Sequence, residues 1–98
     1  VRDFVMNPET KLKNKVIKYL QSLGSEVWFY KTNDRFRSGI LDFILCINGK
    51  FYSLELKVGK NKPTRLQEHT ILKITSSGGI AQVCYSLEDV KNILHSGK

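Results

Sequence analysis

Long apolar runs are missing from this chain, and so is any basic-then-apolar leader with a small-residue cleavage site. A membrane-spanning helix needs roughly 18 or more consecutive apolar residues, so neither a membrane span nor a secretory leader is expected, and the setting expected is intracellular and cytoplasmic. Cysteine is scarce. Cys46 and Cys84 are the only two, without CxxC spacing and each inside an apolar run, which argues against a zinc site or disulfide frame and reads as a pair of reduced core thiols. With 2 prolines and 7 glycines the composition is neither collagen-like nor disordered. Acidic residues are the minority charge, 9 against 16 Lys and Arg, for a formal charge of +7. A polyanion is the first partner such an excess implies, though composition does not say which.

What is present fits one domain spanning residues 1–98, enough chain for a single modest core. Met6 followed by "NPETKLK" reads as a natural start, with residues 1–5 a lead-in that is native or foreign to the domain. Asn7-Pro8 opens a helix over about 8–23, with Leu12, Val16, Ile17 and Leu20 at helical spacing and Gly24 at its end. "EVWFYK" (26–31) is rich in strand formers, and "TNDRFRSG" (32–39) is a polar, basic loop. Strands are expected at 41–47 and 50–57, a helix from Thr64 to about Ser77, a strand over 80–86, and a last helix capped by Ser86 and Asp89. The order α-β-β-β-α-β-α implies an antiparallel meander joined to a parallel β-α-β unit. The fold class expected is α/β, a mixed four-stranded sheet flanked by helices.

Asn48-Gly49 lies between two alternating runs, the strongest short-range signal of a hairpin with a two-residue type I′ turn. That turn pairs Leu41 with Leu56, Phe43 with Leu54 and Leu45 with Tyr52 on one apolar face. Asp42 then faces Glu55 on the other, with Cβ atoms expected roughly 4.5–5.5 Å apart, and Lys57 follows on the same face. Like charges about 5 Å apart repel by roughly 3 kcal/mol at an effective dielectric near 20. A divalent cation between them relieves this, and hard carboxylate oxygens suit Mg²⁺ or Mn²⁺. The alternative is that both acids are solvated on an exposed face and neutralised by Lys57. Lys57 itself is placed either to orient an attacking water and stabilise charge on phosphorus, or simply to pair with Glu55.

Asp42, a hairpin, and then Glu55-Leu56-Lys57 resemble the motif of the PD-(D/E)xK nuclease superfamily. Within it the likeness is to the VRR-NUC family of virus-type replication-repair nucleases, carried by "ETKL", "RSGILDF", "SLELK", "VGKNKPT", "RLQ" and "GGIAQVCYSLEDV" over about residues 9–94. The resemblance implies a restriction-endonuclease-like αβββαβ core, Asp42 and Glu55 as metal ligands, a backbone carbonyl ligand from Leu56, and Lys57 as the catalytic lysine. Leu41 stands where family members usually have proline, a change that removes no ligand. Glu9 matches the family's acid at the start of the first helix, a further metal or water ligand, unless it merely complements the helix dipole. Gln67 matches a site glutamine of the second helix, yet Thr64-x-x-Gln67 is also a capping box.

Lys31, Arg35, Arg37, Lys60, Lys62 and Arg65 are candidate phosphate contacts around the site. Lys11, Lys15 and Lys18 share one side of the first helix, either a solubility face or a contact for a second duplex arm, while His69 and His95 read as ordinary surface or capping residues. The function expected is a Mg²⁺- or Mn²⁺-dependent DNA endonuclease that hydrolyses phosphodiester bonds. By resemblance to junction resolvases it is expected to act as a homodimer on branched DNA such as Holliday junctions, with a phage gene in a bacterial host as one origin. The alternatives are a catalytically silent nucleic-acid-binding module on the same fold, and a scaffold or inhibitor that meets an acidic protein.

Overall fold

Asn7 opens the first helix of the computed structural model, which describes residues 6–33 and 38–96. Its Oδ1 accepts the N–H of Thr10 at 2.8 Å and Pro8 takes the first helical position, so α1 runs Pro8–Ser22. A 3₁₀ turn, Gly24–Glu26, leads into β1 (Val27–Lys31). Then come β2 (Phe43–Ile47), β3 (Lys50–Leu56), α2 (Arg65–Ser76), β4 (Ile80–Cys84) and α3 (Leu87–Ser96). The order expected from the sequence is the order found. The sheet runs β1-β2-β3-β4, with β1–β2 and β2–β3 antiparallel and β3–β4 parallel.

Both turn residues of the β2–β3 hairpin have positive φ, 51° at Asn48 and 81° at Gly49, as a type I′ turn requires. The register follows from it: Phe43 pairs with Leu54, Ile44 with Ser53 and Leu45 with Tyr52. One face of the sheet carries the core. There Leu12, Val16 and Leu20 of α1 and Val90 and Leu94 of α3 bury themselves against Phe43, Leu45, Tyr52, Leu54, Leu56 and Cys84. Each such side chain contributes about 1.5–3 kcal/mol of burial, and slipping the hairpin by one residue would forfeit this layer.

The second face is only partly covered. α2 lies over β3 and β4, so close that a Cβ on Gly79 would stand 2.8 Å from Ile74 Cγ2 and 3.1 Å from Phe51. Cys46, expected in the core, is exposed, because it sits on β2 facing this side beyond the cover of α2. Cys84 is the buried thiol, and burial foremost, with Asp89 adding to it, pushes its pKa up to about 12.

β1, β3 and β4 all end where β2 begins. The connections after β1 and β3 therefore gather at one end of the sheet, together with the start of α1, whose far end feeds directly into β1. Gly39, at φ 90°, brings the first of these connections against α2: a Cβ there would lie 2.8 Å from the backbone oxygen of Leu66. The second connection is held by Tyr85, whose hydroxyl donates to the Asn61 carbonyl at 2.9 Å.

Candidate active site

At that end the β2–β3 backbone ladder stops at Phe43–Leu54, two residues short of the strands expected from the sequence, and side chains take over the bonding. The Leu56 N–H donates to Asp42 Oδ2 at 2.9 Å, and the Asp42 N–H donates to Glu55 Oε1 at 3.2 Å. Each carboxylate thus holds a backbone donor from the other's strand. Thr32, one residue past β1, fixes the peptide bearing Asp42. Its N–H donates to the Asp42 carbonyl at 2.8 Å, and its hydroxyl donates to the Leu41 carbonyl at 2.6 Å. Thr32 belongs to the polar loop 32–39 by composition; the signal for its role is its register position, facing Asp42 where β1 ends.

Glu55 is 4% exposed. It lies on an inner strand, paired with Val83 on β4, so the picture of two solvated acids on an open face does not describe it. Burial first, then the charge of Asp42, raises its pKa above the ordinary carboxylate value. Lys57 opposes the shift, with Nζ 3.4 Å from Glu55 Oε2 and only 18% of its side chain exposed. The upward direction means that burial and the like charge outweigh that ion pair. Two carboxylates and one ammonium leave the cluster an excess negative charge in a largely dry setting. In an extended strand the N–H and C=O of one residue face the same neighbour, so the Leu56 carbonyl turns toward Asp42 as its N–H does.

The other candidates are less closely joined. Glu9 stands three and seven residues before Leu12 and Val16, the spacing of their inward stripe, yet it is exposed, because the first turn of α1 overhangs the packed layer that begins at Leu12. Among the described residues no three His, Cys, Asp or Glu side chains come together, so Glu9 does not join the pair. Gln67 spends its side-chain oxygen on the capping box, accepting the Thr64 N–H at 2.9 Å while its own N–H donates to Thr64 Oγ1 at 3.1 Å. Lys31 lies in register with Phe43, the core-face row, with its ammonium 3.3 Å from the Thr32 carbonyl. Lys60, Lys62 and Arg65 are exposed along the connection from β3 to α2, as are Lys11, Lys15 and Lys18 on α1. Arg35 and Arg37 lie outside the described residues. His69 borders a groove between α2 and the sheet, and His95 is exposed in the last turn of α3.

No family model and no curated protein matches the chain. Among solved structures, a VRR_NUC domain superposes with a TM-score of 0.74 over 89% of this chain and 94% of that one, at 20% sequence identity. The likeness to VRR-NUC domains read from the sequence thus extends to the fold. The mixed four-stranded α/β sheet flanked by helices is the fold of that VRR_NUC domain.

Proposed function

We propose that the chain is a divalent-metal-dependent DNA endonuclease, and the observation that carries the reading is the cross-bonded pair Asp42 and Glu55 with Lys57 against it, on a VRR-NUC fold. The donor set suits a hard cation. Two carboxylates, one of them buried, and the Leu56 carbonyl beside them are the oxygen ligands that Mg²⁺ or Mn²⁺ takes. When bound, such an ion neutralises charge gathering on the phosphoryl oxygens. Lys57 orients the attacking water and stabilises the negative charge at phosphorus. A P–O bond to that water forms as the bond to the leaving oxygen breaks, leaving a phosphomonoester and a hydroxyl. Lys60, Lys62 and Arg65, with Lys31, Arg35 and Arg37, neutralise flanking phosphates, so binding is steeply salt-dependent and weakly sequence-dependent. Glu9 and Gln67 serve the site once DNA closes over that end of the sheet. The exposed Lys11, Lys15 and Lys18 offer a second contact for a branched substrate, on which a homodimer acts at a Holliday junction.

The test is cleavage of four-way junction, flap and linear duplex DNA by wild type and Lys57→Ala, with Mn²⁺, Mg²⁺ or chelator. Metal-dependent cutting lost in the variant is the expected result. Cutting in chelator, or equal cutting by the variant, defeats the mechanism, and DNA binding without cleavage under any metal selects the silent binding module.

A further inference from the structure

The face of the sheet that bears Asp42 and Glu55 also bears large aromatic side chains open to solvent. On β1, Trp28 is 60% exposed and Tyr30 54% exposed. Their rings are stacked, 10° from parallel with centroids 6.5 Å apart, which is the two-residue step of a strand. Registration places them in line with the site. Trp28 pairs with Cys46, which pairs with Phe51, and Tyr30 pairs with Ile44, which pairs with Ser53. Asp42 and Glu55 occupy the next row along, roughly 7 Å further. Where α2 leaves the sheet uncovered there is a groove of about 320 Å³, walled by Ile44, Phe51 and Ser53 on one side and His69, Thr70 and Lys73 on the other.

We propose that Trp28 and Tyr30 form a stacking platform for the bases of an unpaired DNA strand leading into the Asp42–Glu55 site. The proposal deepens the nuclease reading and rests on it for the identity of the polyanion. Three observations select a nucleic acid strand as the occupant. A chain of net charge +7 favours a polyanion. The platform is continuous with the acid pair through the strand register. Two near-parallel, solvent-exposed rings suit an unstacked base rather than a duplex, whose bases are already stacked. Exposed Lys73 on the far wall of the groove supplies a phosphate contact.

Trp28 is the one tryptophan of the chain, so its fluorescence reports the platform directly. The full chain is titrated with a short oligothymidylate strand in EDTA, following Trp28 emission and, with a labelled strand, anisotropy; Tyr30→Ala, Tyr30→Phe and Trp28→Ala are titrated in parallel. Expected are saturable quenching in wild type and binding roughly 5- to 150-fold weaker in Tyr30→Ala, the loss of stacking on one base, with Tyr30→Phe like wild type. Trp28→Ala, read by anisotropy, weakens likewise. Strand binding that leaves the emission unchanged, or wild-type affinity in both alanine variants, overturns the proposal. So does a blue shift of Trp28 that grows with protein concentration alone, together with a dimer that Trp28→Ala disperses, since the platform is then covered by a second copy. Duplex cleavage in Mn²⁺ is scored separately: quenching without cleavage defeats only the nuclease mechanism, and cleavage with unaltered strand binding in the variants defeats only the platform.

Discussion

Replacing Asp42 by alanine and by asparagine separates its part in the fold from its part in the chemistry. The Leu56 N–H, on a residue 1% exposed, has Asp42 Oδ2 as its acceptor at 2.9 Å. Alanine removes that acceptor and strands a buried donor, a cost of about 1–3 kcal/mol. Asparagine keeps an oxygen in place and removes only the charge. Two opposing changes then nearly cancel: the bond loses its charge assistance, about 1 kcal/mol. Against this, the repulsion from Glu55, roughly 3 kcal/mol at about 5 Å and dielectric 20, is cut back by the Lys57 ammonium held 3.4 Å from Glu55. Asp42→Asn should thus melt near wild type in chelator at neutral pH. Asp42→Ala should melt lower than the asparagine variant by about 10 °C, since a domain of this size shifts about 4–8 °C per kcal/mol. Thermal unfolding by circular dichroism measures both. Mn²⁺ at about a hundred times its dissociation constant should then stabilise wild type by about 2.7 kcal/mol and neither variant. Equal melting of the two variants would refute the structural half of this reasoning, and a full Mn²⁺ shift in Asp42→Asn would refute the ligand half.

Glu55→Gln tests the burial of the second acid. Because the folded pKa of Glu55 lies above its ordinary value of 4.5, its stability contribution is fully present below that pH and is lost as pH rises through the folded value. From acid to neutral pH wild type should therefore lose stability that the glutamine variant keeps, and parallel melting curves would contradict the raised pKa. Gly39→Ala should destabilise by more than 1 kcal/mol, roughly, since it adds strain at φ 90° to a clash with the Leu66 backbone; denaturant midpoints decide it. DNA affinity should fall steeply between low and physiological salt, with the slope shallower by about one for each of Lys60, Lys62 or Arg65 removed. A flat salt response in a binding titration would point instead to an acidic protein partner.

The hairpin was legible in the sequence because its determinants are local. Asn48-Gly49 selects one turn, the turn selects one register, and the register puts Asp42 and Glu55 on one face with Lys57 beyond. Caps were legible for the same reason, from Asn7 to Thr64-x-x-Gln67. What escaped depends on packing between distant segments. Alternation along β3 marks Leu54 and Leu56 as buried but does not say that Ser53 and Glu55 on the opposite face are buried too. The expectation for Cys46 failed on the same ground, since apolar neighbours in sequence do not say where a covering helix ends. Glu9 keeps the spacing of an inward stripe, yet spacing cannot tell that the helix begins before the layer it packs on. Thr32 clamps Asp42 through contacts nine and ten residues away, which no periodicity announces.

The two site acids lie thirteen residues apart, joined by one tight bend at the far tip of the ribbon. The bend alone fixes which residues of the two strands face each other, so no contact from a distant segment is needed to set the pairing of the acids. A single insertion at Asn48-Gly49, some six residues from the nearer acid, would invert one strand against the other and send the two carboxylates to opposite sides. Chemistry at one end of this sheet is therefore set by the length of a loop at the other.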